Sequence, residues 1–428
     1  MTRVSILTYG CSMNKADSEI ISGMLKRQGI RIVNDSEIVI VNTCTVKTPT
    51  ERKILKKLRE LEKSKKKVIV VGCLPIAQPE ISEKFKKFSF IGSNFSDIPV
   101  AINYAIKGKK FVEISNEREI EFETKLRSNK FVEITPIAQG CLGSCSYCIT
   151  KISRGKLKSI PEEKILKHIE NALKENVKEI WLTAQDTGAY GFDIGTNLPN
   201  LVREITKLNG KFFIRIGMMN PKNAKKILDE LIEIYKSEKV YKFFHLPVQS
   251  GDDEILEKMQ RNYTVEDFKK ILYKLREEIP EITISTDIIV GFPTESEEQF
   301  QNTLKLIEEI KPDVLNISRF WPRPKTMAAK MTQLPGRETK RRSRIATELF
   351  KKIGLERNKR WISWQGEALI SEYDKKTNTY TARNFAYKPI ILKSRENLLG
   401  EFVRVKVKEA TCYDLRAEVL RATTNANK

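Results

Sequence analysis

Histidine is almost absent: the 428-residue chain has two, His168 and His245. That scarcity excludes a histidine-rich metal centre and leaves no room for a conventional Cys–His nucleophile pair. Glycine and proline, at 20 and 16, are too few for a fibrous or disordered chain. Long apolar runs are missing too. The longest, 68–77, is interrupted by Gly72, Cys73 and Pro75, and nothing approaches the ~18 residues that a membrane-spanning helix needs. The N-terminus, MTRVSILTYGCSMNK, has too short an apolar core and no small-residue cleavage site for a signal peptide. Acidic side chains are the other deficit: 55 Asp and Glu face 77 Lys and Arg, a net charge of +22. Such an excess points to a polyanionic partner, either nucleic acid or an acidic membrane face. Cysteine is sparse, at seven, and without a secretion signal it argues for metal or catalytic use rather than a disulfide scaffold. The chain reads as a soluble, cytoplasmic protein with no membrane partner.

Length divided by ~150 residues suggests about three domains, and 40% hydrophobic residues supply their cores. Residues 1–112 alternate β-branched runs at 4–9, 37–42 and 67–71 with helical stretches at 16–28 and 47–66. That βαβαβ order predicts an α/β domain with a parallel, Rossmann-like sheet. Residues 113–130 are charged and unpatterned and read as a linker. Candidate strands at 131–137, 179–183, 211–216, 243–248, 281–290 and 314–320 then alternate with helical stretches such as 161–174, 223–236, 264–278 and 296–310. These units predict a partial, TIM-like (β/α)6 barrel over 131–336, with its functional face at the C-terminal strand ends. Residues 337–362 read as a basic helix, and 363–424 as a small OB-like β-barrel of the sort that holds oligonucleotides.

Cys141, Cys145 and Cys148 form a C-x3-C-x2-C run, GCLGSCSYC, just after a predicted strand. Three such thiolates can hold three irons of a four-iron cluster and leave the fourth open to a chelating small molecule. A zinc knuckle is the competing reading; zinc would want a fourth Cys or His nearby, and His168 is twenty residues on. Cys11, Cys44 and Cys73 are spaced 33 and 29 residues apart, about one βα unit each, and each follows a strand: SILTYGC, VIVNTC, VIVVGC. In a parallel sheet all strand C-ends share one edge, so these residues converge on one crevice. They read as a second three-cysteine cluster site, with buried structural thiols as the alternative. Cys412, in the basic C-terminal region, reads as a buried small hydrophobe.

Residues 337–428 carry 22 Lys/Arg against 11 Asp/Glu, densest in RETKRRSR at 337–344, and residues 47–67 carry ten against three. The second run reads equally well as a solvated helix face. In the C-terminal region the charge coincides with a barrel pattern and with exposed-looking aromatics: Trp361, Trp364, Tyr373, Tyr380, Phe385 and Tyr387. That combination favours RNA, held by phosphate contacts and stacking. Arg341 and Arg342, on a basic helix outside both cysteine domains, are expected to contribute phosphate contacts.

The C-x3-C-x2-C run opening a six-fold βα series resembles the radical S-adenosylmethionine superfamily. With three N-terminal cysteines and a basic C-terminal barrel, nearly the whole chain resembles the methylthiotransferases, which join a cluster domain, a radical domain and a TRAM domain. Within that family GCLGSCSYCITKISRGKLKS, EIWLTAQDTGAYGFDIGTNLP, HLPVQSGDDEILEKMQRNYT and TDIIVGFPTE are similar to the archaeal and eukaryotic branch. That branch modifies tRNA carrying N6-threonylcarbamoyladenosine beside the anticodon.

The resemblance implies two 4Fe-4S clusters, one on Cys11, Cys44 and Cys73. The other, on Cys141, Cys145 and Cys148, chelates S-adenosyl-L-methionine. It implies further that Tyr147 lies against the cofactor's adenine and that Gln185, Asp186, Arg215, Gln249 and Asp287 line the pocket. Read as residues alone, Arg215 is an odd charge in an apolar strand that needs a partner or a ligand. Asp287 reads equally as a turn cap, and His245 as a packed, satisfied side chain. The implied reaction uses two molecules of S-adenosylmethionine. One methylates sulfur held at the N-terminal cluster; the other yields the radical that takes the hydrogen from adenine C2, where the methylthio group bonds. An aromatic C–H is not acidic, so no ordinary base would serve. An electron donor and a sulfur source, both unidentified, are implied as further partners. The rival readings are a methylthiotransferase acting on a ribosomal-protein aspartate, against which the basic tail weighs, and a non-catalytic RNA-binding protein with structural metal sites. In PRPKTMAAKM, Lys325 and Met327 stand where the family has Gly and Pro, which predicts a differently shaped turn.

Overall fold

The computed structural model describes residues 2–117, 120, 122 and 125–420. Five positions of the expected linker, and residues 421–424 of the expected C-terminal barrel segment, lie outside the described residues. Six strands build the N-terminal sheet: β1 (Arg3–Thr8), β2 (Arg31–Ile32), β3 (Ile38–Thr43), β4 (Lys67–Gly72), β5 (Ser89–Ile91) and β6 (Val112–Glu113). All neighbours are parallel, in the order β2-β1-β3-β4-β5-β6. The β-branched runs of β3 and β4 are buried on both faces, as a parallel sheet covered by helices requires. Val39, Val41, Val68 and Val70 meet Ile54 and Leu58 of helix Thr48–Glu62 on one face. Ile38, Ile40, Ile69 and Val71 meet Ile21 and Leu25 of helix Ser12–Arg27 on the other. β2, β5 and β6, two or three residues each, were not expected, because such short strands carry no period.

The second series contains β7 (Val132–Pro136), β8 (Glu179–Thr183), β9 (Phe213–Ile216), β10 (Phe243–His245), β11 (Thr283–Val290) and β12 (Val314–Arg319). They form two parallel ladders, β9-β8-β7 and β10-β11-β12, joined through a single bridge between Ile214 and Val240. The result is an open, partial barrel of six strands in sequence order, with helices outside. The expected helix over 223–236 is two, Pro221–Lys226 and Leu228–Lys236, because Ile227 leaves helical backbone geometry. At the β7 edge, Ala16 of the N-terminal domain packs on Val132 and Ile134. The end of the linker is drawn into this junction: Lys125 pairs with Glu19 at 3.0 Å and with Glu133, and Arg127 with Glu133 at 3.0 Å. Burial alone would raise the Glu133 carboxyl, but Lys125, and then His168, pull it down to about 2.

Helix Gly336–Lys359 lays Ala346, Phe350 and Ile353 into the core of the partial barrel. After it, β13 (Gln365–Asp374), β14 (Thr379–Arg383), β15 (Pro389–Leu392), β16 (Phe402–Ala410) and β17 (Leu415–Val419) close a second barrel in the order β13-β14-β15-β17-β16. Two sequence expectations fail here. Of the six aromatics read as exposed, only Tyr373, at 40%, is open to solvent. Trp361, Trp364 and Phe385 pack on one another, Tyr380 points into the small barrel, and Tyr387 is buried against Tyr241 and Phe243 of the neighbouring domain. So small a barrel has to spend its large rings on its own core and interface. Arg341 and Arg342 are likewise not free charges. Arg342, 4% exposed, donates to Glu295 at 2.6 Å and Glu338 at 2.7 Å, while Arg341 pairs with Glu338 and Glu297. The basic helix is anchored to the radical domain through them.

Candidate active site

After β7 the chain makes a short antiparallel pairing, Ala138–Gln139 with Lys158–Ser159, and then turns at Gly140. Gly140 has φ +78°, and a Cβ there would lie 1.9 Å from the Lys156 carbonyl oxygen, so the turn that delivers Cys141 admits only glycine. Gln185, just past the end of β8, accepts a hydrogen bond from the Gly140 N–H at 2.7 Å. Within the loop the Gly143 N–H donates to the Cys141 sulfur at 3.2 Å, and Arg261 Nη1 donates to the Cys145 sulfur at 3.5 Å. Burial, and to a lesser degree Asp186 and the other two thiols, push the Cys141 thiol up to about 11, and burial with Cys145 raises Cys148. Tyr147 stands edge-on to Phe292, centroids 6.4 Å apart, in an apolar cluster with Met259 and Phe320.

The other three cysteines sit at equivalent strand ends. Cys11 caps helix Ser12–Arg27, Cys44 follows β3 directly, and Cys73 opens the short helix Cys73–Ala77 after β4. The loops touch: a Cβ on Gly10, whose φ is +116°, would meet the Cys44 Cβ at 2.7 Å. Asn14 and Asn42 lock the loops from behind, with Asn14 Nδ2 donating to Asn42 Oδ1 at 3.1 Å and to the Thr43 carbonyl at 2.9 Å. Burial pushes the Cys44 thiol up to about 11, reinforced by Cys73.

Arg154 joins the two triplets. It ends the helix Thr150–Arg154 that follows Cys148, is 3% exposed, and reaches into the N-terminal crevice. Its Nε donates to the Cys73 sulfur at 3.2 Å and its Nη2 to Asp17 at 2.7 Å, while its Nη1 is buried without a hydrogen-bond partner among the described residues. Ser12 and Thr183 share a 2.9 Å hydrogen bond across the same boundary.

Donors aimed at sulfur, thiols on converging loops and an orphaned guanidinium N–H suit iron–sulfur groups, whose sulfurs accept hydrogen bonds. Among the described residues no three Cys, His, Asp or Glu side chains are gathered around a single metal-ion position. A four-iron cluster instead asks each thiolate for a different iron.

The remaining sequence candidates fall in three places. Asp186 is buried and saturated, accepting from Gly188 N–H at 3.1 Å, Asn220 N–H at 3.0 Å and Asn223 Nδ2 at 2.7 Å; burial pushes its carboxyl up. It ties the ends of β8 and β9 together beside Cys141. Asp287 on β11 lies 3.0 Å from His245 Nε2 and accepts from Asn316 Nδ2 at 2.6 Å. Burial alone would raise its carboxyl, but His245 and Asn316 hold it below the usual range. Gln249, at φ +76°, pairs its backbone with Asp287 and Ile289 next to it. Arg215 of β9 sets its guanidinium 5.2–5.3 Å from the rings of Trp181, Phe243 and Tyr387, the last from the C-terminal domain, and its Nε is buried with no hydrogen-bond partner among the described residues.

Three functional-looking residues were not singled out from sequence: Arg154, Arg261 and Arg323. Arg323 donates to Thr48 at 2.9 Å and Thr45 at 2.8 Å and pairs with Glu51, clamping the segment after β12 to the N-terminal domain. Lys325 corrects the expectation of a reshaped turn. It takes φ +65°, the left-handed backbone that glycine favours, and its Nζ donates to the Ala77 carbonyl at 3.1 Å. Arginines inside the family motifs, Arg154 in GCLGSCSYCITKISRGKLKS, Arg261 in HLPVQSGDDEILEKMQRNYT and Arg323 in PRPKTMAAKM, were the available sign, since each charge buried there needs a partner.

Comparison with known proteins follows the same division. Residues 3–92 match the family model described as Uncharacterized protein family UPF0004, and residues 135–307 match the Radical SAM superfamily. The first range holds Cys11, Cys44 and Cys73, the second Cys141, Cys145 and Cys148. A solved radical S-adenosylmethionine methyltransferase, TsrM from Kitasatospora setae, shares the fold with a TM-score of 0.55 at 14% identity, over 77% of each chain. The chain is 36% identical to the "Threonylcarbamoyladenosine tRNA methylthiotransferase" of Homo sapiens, across 97% of this chain and 74% of that one. It is 47% identical to the "Probable threonylcarbamoyladenosine tRNA methylthiotransferase" of Pyrococcus horikoshii, across 98% of this chain and 100% of that one. Identity sustained from end to end through both cysteine domains means that the chain belongs to the threonylcarbamoyladenosine tRNA methylthiotransferase family of radical SAM proteins.

Proposed function

We propose that this chain adds a methylthio group to C2 of N6-threonylcarbamoyladenosine beside the anticodon of tRNA. The observation that carries the reading is the meeting of two cysteine triplets across one domain boundary, through Arg154. Cys141, Cys145 and Cys148 would hold the 4Fe-4S cluster that binds S-adenosylmethionine; Cys11, Cys44 and Cys73 would hold a second. When bound, these groups supply the electron, the hydrogen-abstracting radical and the methylated sulfur.

The chain's own residues orient and shield. Gln185 fixes the turn into Cys141, and Arg261 and Arg154 place N–H donors on cysteine sulfur, where they stabilise thiolate charge. Tyr147 and Phe292 wall the cysteine loop on its apolar side. Asp186 holds two strand ends in register from a fully hydrogen-bonded position, and Asp287 with His245 and Asn316 presents a carboxylate at the next. The near-full-length identity to proteins named for tRNA, together with the net charge of +22, favours tRNA over a ribosomal-protein aspartate. No helix among the described residues is long and apolar enough to cross a membrane, and a tRNA substrate suits a cytoplasmic location. An electron donor and a sulfur source complete the partners.

The test is nucleoside mass spectrometry of tRNA from cells with and without the gene, repeated with the anaerobically reconstituted protein. Methylthio-threonylcarbamoyladenosine should appear only with the protein. An unchanged nucleoside profile would sink the proposal.

A further inference from the structure

One aromatic ring at the lip of the site holds two cations that no carboxylate among the described residues neutralises. Trp321 follows β12 by two residues. The guanidinium carbon of Arg319, the last residue of β12, lies 4.7 Å from its ring centroid, and that of Arg52, on helix Thr48–Glu62 of the N-terminal domain, lies 5.5 Å away. Two domains thus place an arginine each on one indole. Neither arginine makes an ion pair or side-chain hydrogen bond among the described residues. Their neighbours differ: Arg323 is spent on Glu51, Thr45 and Thr48, and Lys325 on Ala77. Arg341 and Arg342 are spent on carboxylates.

A guanidinium held by an aromatic face keeps its N–H donors, and those donors match phosphate oxygens. The trio is also fixed in place. Phe320, one residue before Trp321, packs in the apolar cluster that includes Tyr147, and Arg323, two residues after, is bonded to the first turn of the helix that carries Arg52. Lys53 and Lys56 are exposed on the adjoining helix surface and extend the positive face. Arg319 closes the C-terminal end of β12, one residue from the wall of the cysteine loop, and Arg52 meets the same ring from the N-terminal domain.

We infer that Arg52, Arg319 and Trp321 form a clamp for the sugar–phosphate backbone of the single-stranded tRNA loop at the entrance to the site, with Trp321 holding the two guanidiniums in position. The inference rests on the tRNA reading above and goes beyond it by naming the residues that seat the substrate.

The test uses the reconstituted full chain and titrates tRNA at several salt concentrations, with iron content measured on every variant. Arg52→Gln and Arg319→Gln should each weaken binding and lower the log–log salt slope by about 0.7–0.9, the value of one phosphate contact. Trp321→Ala keeps both charges but frees them, so affinity should fall roughly 2- to 30-fold, the range spanned by loss of a cation–π contact, with the slope kept. Trp321→Phe should restore part of the loss. Arg341→Gln, whose charge is already paired, should leave affinity and slope at the parent values. Parent affinity and slope in the Arg52→Gln/Arg319→Gln double variant would overturn the clamp, as would loss of iron with Trp321→Ala, which would make the ring a packing element. If the parent protein itself fails to bind tRNA, both the clamp and the tRNA reading fall.

Discussion

Arg154 of the radical domain donates its Nη2 to Asp17 of the N-terminal domain at 2.7 Å, and both side chains are sealed from solvent. This is the tightest link between the cysteine triplets, and it works at a cost. A buried ion pair contributes little net stability, but removing one partner leaves the other buried and less compensated, with a penalty of up to about 3–5 kcal/mol. Arg154→Gln should therefore destabilise the chain by an amount on that scale and loosen the N-terminal domain. Asp17→Asn should do likewise, and the double variant should cost less than the sum of the two. Thermal unfolding and limited proteolysis of the four proteins check this; additive penalties would mean that the pair does not act as a unit.

The glycine before Cys141 gives a prediction that counts metal. Two four-iron clusters predict about eight irons per chain after anaerobic reconstitution, and Cys141, Cys145 and Cys148 replaced together by Ala should leave about four. Gly140→Ala should approach the same figure, because its Cβ would collide with the Lys156 backbone and its φ is strained for any side chain. Iron analysis settles both. A parent that never exceeds four irons would remove the second cluster; full iron in Gly140→Ala would mean that the turn adapts.

What could be read from the sequence follows from the range of each interaction. The parallel sheet and the convergence of Cys11, Cys44 and Cys73 were legible because β-branched runs are local and because topology alone gathers strand ends on one edge. The fate of a charge or a ring is not local. Arg342 finds Glu338 four residues back, but its second carboxylate, Glu295, is 47 residues away, so the run RETKRRSR looked like free charge. Tyr387 looked available for stacking because its true partners, Tyr241 and Phe243, belong to another domain. Arg215, read as an unexplained charge in an apolar strand, had its explanation in three rings from three separate elements.

Acid should attack the domain junction through Glu133. Its carboxyl titrates at about 2 in the folded chain, against ~4.3 for an unperturbed glutamate. A depressed folded pKa contributes stability that is complete above the unfolded value and disappears as pH falls through the folded one. The window is therefore roughly pH 5 down to 2, and the contribution is on the order of 3 kcal/mol. Urea unfolding across that range should show stability falling with pH, and Glu133→Gln should flatten the fall while lowering stability at pH 7. An unchanged pH profile in Glu133→Gln would place the acid sensitivity elsewhere.

Ending the chain at Pro335 would be harmless if the C-terminal part were only an RNA-binding appendage. Its contacts say otherwise. Helix Gly336–Lys359 contributes Ala346, Phe350 and Ile353 to the core of the partial barrel, and burying a side chain the size of Phe or Ile is worth about 1.5–3 kcal/mol. Asp313, at the entry to β12, accepts from Arg357 at 3.0 Å and from Lys388 at 2.9 Å, both lost on truncation. Burial alone would raise the Asp313 carboxyl, and Lys388 and Arg357 hold it down, so without them the chain must bury an uncompensated acid or protonate it. Tyr387 would leave Tyr241, Phe243 and Arg215 facing water. The truncated protein should melt well below the full chain, without a sharp transition, and should lose iron from the radical domain as well as tRNA binding. Lys388→Met in the full chain separates the causes, since it removes one cation and leaves the barrel core covered; it should lower the melting temperature by a few degrees and keep the iron. If the truncated chain reconstitutes fully and melts with the parent, the C-terminal barrel is a separable appendage and its contacts to Asp313 carry no stability.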